Sequence, residues 1–316
     1  MFKSLMNLQI RENIVTRFSG HETFTLRYTW LPKAVHHIKS DPELFSREDA
    51  MVSLGVGKNM VRSIRHWALA FGVLEDDPNI PNNRGRTLRL SQLGEALFGD
   101  DGIDPYLENM STLWLLHYNL VSKPDSPTTW FYAFNLFPRM EFSSKQLLDE
   151  LQNLNNETEN KKVSSSIIQR DINCFIRTYV PPKKSKNEVI EDTLDCPFVE
   201  LALLRETTTP NSFCFCRGTH SSLPTEILVF ALLDFWDTYN PGINSLKFED
   251  IAYEVGSPGR VFKLSEVALS EHLHKLDTVT KGALRFDSTA GLSQVYRSRD
   301  YAPQDALKNL RSSRSK

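Results

Sequence analysis

The chain has 316 residues, 40% hydrophobic and 24% charged, with a formal net charge of -2. Such a length can bury sizeable cores in two or three domains, and the hydrophobic content excludes disorder as the overall class. Near-neutral charge excludes a uniformly basic coat, so any affinity for nucleic acid has to come from local patches whose phosphate contacts are salt-sensitive.

Met1 to Arg17 reads as an N-terminal arm whose MFKSLMNLQI start is too polar and too short for an export signal. Phe18 to Ser40 supplies a first helix ending in the basic AVHHIKS. The run from Ser46 to Leu97 then carries the parts of a winged helix-turn-helix in order. SREDAMVSL starts a short helix at Ser46 as N-cap, with Ala50, Met51 and Leu54 as its apolar stripe. Gly55-Val56-Gly57 breaks it, and Lys58 to Glu75 follows with Val61, Ile64, Ala68 and Leu69 at helical spacing. Lys58, Asn59, Arg62, Arg65 and His66 fall on and beside the opposite face, where a major-groove helix carries its base and phosphate contacts. A turn at Asn83 to Gly85, an alternating strand over Thr87 to Leu90 and a capped helix from Ser91 complete the wing. Arg84, Arg86 and Arg89 suit a wing lying along phosphates. Six basic residues between Lys58 and Arg89 face only three acids, Glu75 to Asp77. A solvated basic face or a protein-protein module is the plainer reading of the same pattern.

A middle unit opens at Asp104. Thr112 to Val121 and Thr128 to Phe137 are too apolar and aromatic to stay exposed and read as core helices. Phe142 to Leu154 has a Ser-capped start, and Asn155 to Ser166 is a polar, exposed linker. In the helix Ser166 to Val180, Ile167, Ile168, Ile172, Phe175 and Ile176 face inward, leaving Arg170, Asp171 and Arg177 free on other faces. FVELALLRET and SFCFCRG read as two strands around a TTPNS turn. A third unit repeats the scheme: an apolar helix over Leu223 to Tyr239, a short helix in LKFEDIAYEVG, a helix over Ser265 to Leu276 and a hairpin around a TAG turn. The tail from Lys308 to Lys316 reads as a disordered, phosphate-attracted extension. The pattern thus gives a mostly helical α+β protein of tandem winged helix-turn-helix-like units with short hairpin wings, divided at 1–103, 104–222 and 223–316.

Two constellations could carry phosphodiester chemistry. In GHETF, His21 offers a base or metal ligand and Glu22 a carboxylate; they share a site only in an extended or capping conformation, since helical neighbours point about 100° apart. The other combines Arg170, Asp171 and Arg177 with Glu191, Asp192, Asp195 and Glu200, raw material for a hard-cation site with arginines to hold phosphate. Structural caps and ion pairs are the commoner fate of such residues, and no complete nuclease signature is present. GSPGRVFKL is a turn in which Arg260 is placed to touch DNA. Cys214 and Cys216, two apart on a strand, lack the second close pair of a zinc site and read as packing thiols. Four cysteines and no apolar run near 18 residues fit a reduced, soluble, cytoplasmic protein without a membrane span.

Taken together, FSGHETFTLRYTWLPKA, LGVGKNMVRSIRHWALAFGVLE, TLWLLHYNLVS, RDINCFIRTYV, EDTLDCPFVELALL, LPTEILVFALLDFW, YEVGSPGRVFKL and GALRFDSTAGLSQVYR resemble the SspB family over about Arg17 to Arg297. Members are the DNA-nicking components of SspABCD-type phosphorothioation systems, in which sulfur replaces a non-bridging phosphate oxygen. The resemblance implies a double-stranded DNA substrate, a role in modification and phage defence, and three partners: a cysteine desulfurase, an ATP-pyrophosphatase-like sulfur-transfer protein and an ATPase. It also implies metal-dependent nicking, with Mg²⁺ or Mn²⁺ as the divalent cofactor and no ligand set identified. The alternative is a non-enzymatic target-recognition subunit or a transcriptional regulator.

Overall fold

The computed structural model describes residues 14–158, 162–182, 196–289 and 291–314. It is an α+β protein of helices with small antiparallel sheets of two or three strands. The first elements are α1 (Trp30–Ser40), α2 (Ala50–Leu54), α3 (Lys58–Ala70), β1 (Leu74–Asp76), β2 (Leu88–Leu90) and α4 (Gln92–Phe98). In α3 the residues Val61, Ile64, Trp67 and Ala68 are buried, so the apolar spacing read from the sequence is the packing face. β1 pairs antiparallel with β2, and the Ser91 hydroxyl caps α4 by accepting from Gly94 N–H, as its sequence requires.

Three local expectations give way here. Ser46 does not cap α2; it ends a short 3₁₀ turn, and its hydroxyl donates to the Arg86 carbonyl instead. The recognition-position helix stops at Ala70 because Gly72 adopts φ +67° and turns the chain into β1. Phe18 to Thr29 is not helical, since Ser19, Gly20, Glu22 and Thr23 all have left-handed backbone angles.

The middle stretch holds α5 (Met110–Val121), α6 (Thr128–Asn135), β3 (Glu141–Ser143), α7 (Ser144–Glu157), α8 (Ser165–Tyr179), β4 (Leu204–Glu206) and β5 (Ser212–Phe215). α5 and α6 are buried almost throughout, as their composition demands. Ser143 and Gln146 close a full capping box at the start of α7. The polar linker is shorter than expected, because α7 runs to Glu157 and buried Asn155 bonds Val163 through both ends of its amide. Pro197–Leu201 forms a 3₁₀ turn rather than a strand, and β3, absent from the sequence reading, joins β5 to make the order β3-β5-β4.

The last stretch contains α9 (Thr225–Tyr239), β6 (Ser245–Lys247), α10 (Phe248–Tyr253), α11 (Pro258–Val261), α12 (Glu266–His274), α13 (Leu276–Val279), β7 (Leu284–Thr289), β8 (Leu292–Arg297) and α14 (Pro303–Arg314). Ser265 caps α12, and β7 and β8 form the expected hairpin. LKFEDIAYEVG divides into β6 and α10, and GSPGR contributes the single turn of α11. The basic tail is not disordered through Arg314: α14 buries Ala306, Leu307 and Leu310 and packs on α9, because its apolar residues recur at i, i+1 and i+4. Buried residues from all these stretches form one continuous apolar core. Among the described residues, no helix is long and apolar enough to cross a membrane.

Candidate nucleic-acid interface

The loop from Arg17 to Phe24 fastens three helices together. Arg17 exchanges backbone bonds with Thr128 at the start of α6, its carbonyl accepting at 3.1 Å and its N–H donating to the Thr128 hydroxyl at 2.6 Å. Next come Ser19 at φ +71°, Gly20 at +89°, Glu22 at +48° and Thr23 at +66°, conformations that non-glycine residues adopt only when the surroundings impose them. Those surroundings are visible. Asp171, in the buried stripe of α8, accepts from Ser19 N–H at 2.7 Å and from the Thr129 hydroxyl at 2.5 Å. His21 Nε2 lies 2.7 Å from the same carboxylate, and Thr23 N–H donates to His21 Nδ1 at 3.0 Å. Since Nδ1 is an acceptor there, the ring proton sits on Nε2 and points at Asp171. The His21 ring lies near-parallel to Trp67 of α3, 6.3 Å between centroids, and edge-on to Trp130. The Phe24 carbonyl accepts from the Trp67 indole at 3.1 Å. A side chain at position 20 would place its Cβ 2.6 Å from His66 Nδ1, so only glycine fits.

This geometry revises the reading of Asp171, which is not free on an outer face but 1% exposed. In α8 the buried residues are Ile168, Asp171, Ile172, Cys174, Phe175, Thr178 and Tyr179, so the carboxylate lies inside the buried, mostly apolar stripe. Both Asp171 oxygens and both His21 ring nitrogens have partners, which is what makes the burial of a carboxylate tolerable, whereas Trp130 Nε1 and His66 Nε2 beside them have none. Glu22 behaves differently. It turns outward and meets Arg62 of α3 at 3.4 Å.

α3 presents Lys58, Asn59 and Arg62 to solvent. Its N-cap is Gly57, which offers no side-chain cap, so the first amides of a 13-residue helix face outward beside Lys58. Arg65 is drawn away to the hairpin loop, donating to the Gly85 carbonyl at 2.9 Å; a Cβ at Gly85 would meet that guanidinium at 2.6 Å. Arg84 and Arg86 are exposed on the same loop, and Arg89 pairs with Glu75 at 2.7 Å. Next to Arg62 a groove of about 1280 Å³ runs between α3, α4 and α14, with Arg17, Glu22, His66 and Lys123 in its lining. Burial pushes His66 down to about 4, so the imidazole in its wall is neutral.

Of the other sequence candidates, Arg177 of α8 reaches the loop itself, donating to the Thr23 carbonyl at 2.6 Å. Arg170 and Arg177 are exposed on α8. Glu200 sits exposed on the 3₁₀ turn and accepts from the Tyr28 hydroxyl. Arg260 donates to the Tyr253 carbonyl at 2.9 Å, and burial lowers its pKa. Asp192 and Asp195, with Glu191, lie outside the described residues. Among the described residues no group of three His, Cys, Asp or Glu side chains is placed to hold a metal ion. Cys174, Cys196, Cys214 and Cys216 are free thiols. The clamp itself escaped the sequence reading, although Asp171 at i+3 from Ile168 and i−4 from Phe175 carried the signal of a buried polar residue.

Residues 18–311 match a family model described as a protein of unknown function, DUF4007. Two solved structures are similar over nearly the whole chain. The magnesium ion-bound SspB crystal structure shares 30% identity and a TM-score of 0.84, covering 96% of this chain and 90% of that one. The SspB crystal structure shares 31% identity and a TM-score of 0.83, with the same coverage. No curated protein matches the chain.

Proposed function

The chain belongs to the DUF4007 family and is similar to SspB along nearly its whole length, and from that premise we propose that it binds duplex DNA and nicks it in phosphorothioate modification. The observation that carries the proposal is the outward face of α3, where Lys58, Asn59 and Arg62 flank an uncapped helix N-terminus. We read α2, α3 and the β1–β2 hairpin as a winged helix-turn-helix with α3 in the major groove and Arg84 and Arg86 along phosphates. The later hairpins are read as repeats of the scheme, in units bounded at 1–103, 104–222 and 223–316. The desulfurase, sulfur-transfer protein and ATPase of such a system are its proposed partners.

Nicking one strand requires a held phosphodiester, stabilisation of added charge on phosphorus and an activated nucleophile. His21 and Asp171 are positioning residues in this reading, since their polar atoms already bond each other and the loop. Glu22 is the carboxylate of GHETF that reaches the surface beside an arginine. For a divalent ion, the described His, Cys, Asp and Glu side chains do not assemble a site. Asp192 and Asp195 remain the proposed acids for one, tested through their variants.

A second reading, a target-recognition subunit without its own chemistry, is favoured by the internal satisfaction of His21 and Asp171. One experiment separates the two. Supercoiled plasmid is incubated with the purified chain and Mg²⁺ or Mn²⁺, with and without chelator. Open circles that vanish with chelator support the nickase; gel retardation without open circles supports the recognition subunit.

A further inference from the structure

α8 carries Arg170, Asn173 and Arg177 at i, i+3 and i+7, all exposed along one face. They border a groove of about 480 Å³ whose lining also includes Thr23, Ser144 and Phe213 and contains no acid. Among the described residues neither arginine has a carboxylate within ion-pair distance. Each is steadied instead by a neutral acceptor in its own helix. Arg170 Nε donates to the Ser166 carbonyl at 3.3 Å, and Arg177 Nε to the Asn173 carbonyl at 3.3 Å. Two charged guanidiniums held in place with no carboxylate beside them among the described residues suit the binding of anions.

This face is physically joined to α3. Arg177 also donates to the Thr23 carbonyl at 2.6 Å. The residue before Thr23, Glu22, meets Arg62 of α3 at 3.4 Å, and the loop bearing both is fixed from beneath by Asp171 and His21. The order Arg62, Glu22, Thr23, Arg177, Arg170 is therefore one continuous path over the surface. Along α8 the two arginines are separated by roughly 10 Å of helix axis, comparable to the ~12 Å major groove of B-DNA.

We propose that the α8 face is a second phosphate-contact surface, continuous with α3 across the 19–24 loop, so that a duplex seated on Lys58 and Arg62 extends onto Arg177 and Arg170. The inference rests on the DNA-binding reading above and adds the direction in which the duplex runs. Glu22 sits at the junction, where its pairing with Arg62 keeps one cation of the path partly neutralised in the free protein.

The test uses the full chain and a duplex of about 30 bp, some three helical turns. Three variants are compared with the parent: Arg170→Ala with Arg177→Ala, Arg170→Glu alone, and Lys58→Ala with Arg62→Ala. Arg170→Glu guards against misfolding, because Arg170 bonds only within its own helix. Each lost phosphate contact should remove about 0.9 from the slope of log affinity against log salt, so the α8 double variant should lose about 1.8 and on the order of tenfold in affinity. Hydroxyl-radical footprints should retract from one end with the α8 variants and from the opposite end with the α3 variant. A parental slope and footprint for Arg170→Glu, or retraction of both variants from one end, would overturn the inference while leaving DNA binding intact. A parent chain that fails to bind the duplex would overturn the DNA-binding reading and this inference together.

Discussion

His21 Nε2 and Asp171 Oδ1 lie 2.7 Å apart across 150 residues of sequence, with side chains only 2% and 1% exposed. The pair is a fastening between the N-terminal loop and α8, made beneath the surface on which Arg62 and Arg177 are displayed.

Removing one partner strands the other in the interior. Asp171→Ala leaves Ser19 N–H, His21 and the Thr129 hydroxyl without their shared acceptor, and a cost of about 1–3 kcal/mol is expected for each buried donor so stranded. Urea denaturation measures it. A loss under about 1 kcal/mol would mean that the pair does not hold the loop.

Glu22 and Arg62 form an exposed pair worth under about 1 kcal/mol, so Glu22→Gln should leave stability nearly unchanged. It should tighten duplex binding several-fold by freeing the arginine and removing a negative charge from the phosphate path. Should Glu22→Gln instead abolish nicking at unchanged affinity, Glu22 belongs to the chemistry.

Binding through α3 predicts that Arg62→Ala weakens DNA affinity by roughly 1–3 kcal/mol if it reads a base and less if it touches a phosphate. Arg65→Ala should act chiefly on the hairpin, since its guanidinium is committed to Gly85. Gel retardation with thermal unfolding of the same samples separates the two effects; equal loss of affinity without destabilisation in Arg65→Ala would contradict this division.

Acid sensitivity should begin near pH 6.5. His117 lies in the core between the Tyr179 hydroxyl at 2.9 Å and the Val261 carbonyl at 3.0 Å. Burial pushes it down to about 3, and pushes His66 and His272 down to about 4. Unfolding returns each to its ordinary value of 6.5, so below that pH the unfolded chain binds more protons and stability falls as pH falls. Each such histidine should add about 1.4 kcal/mol per pH unit down to its folded value, and the contribution is constant above about pH 6.5. Urea titrations from pH 7.5 to 4.5 should show this slope, and His117→Gln should remove one proton's share. An identical slope in that variant would exclude His117 as a source.

Features that depend on a few neighbouring residues are legible in the chain alone. The apolar spacing of α3, the Ser91 cap, the Ser143 and Gln146 capping box and the β7–β8 hairpin are local hydrogen bonding and periodicity, written within a turn or two of chain. The resemblance to SspB was likewise legible, because it rests on ordered motifs. The positions of His21, Glu22 and Asp171 follow from long-range packing. The sequence grouped His21 with Glu22 and placed Asp171 in a different cluster; packing divides the first pair, burying His21 against Asp171 and turning Glu22 toward Arg62. The left-handed backbone at Ser19, Glu22 and Thr23 is unfavourable in isolation and is held by bonds to residues more than a hundred positions away. Likewise α14 looks like a solvated basic tail until α9 covers its few apolar side chains, since an amphipathic helix gains its stability from the surface that receives it.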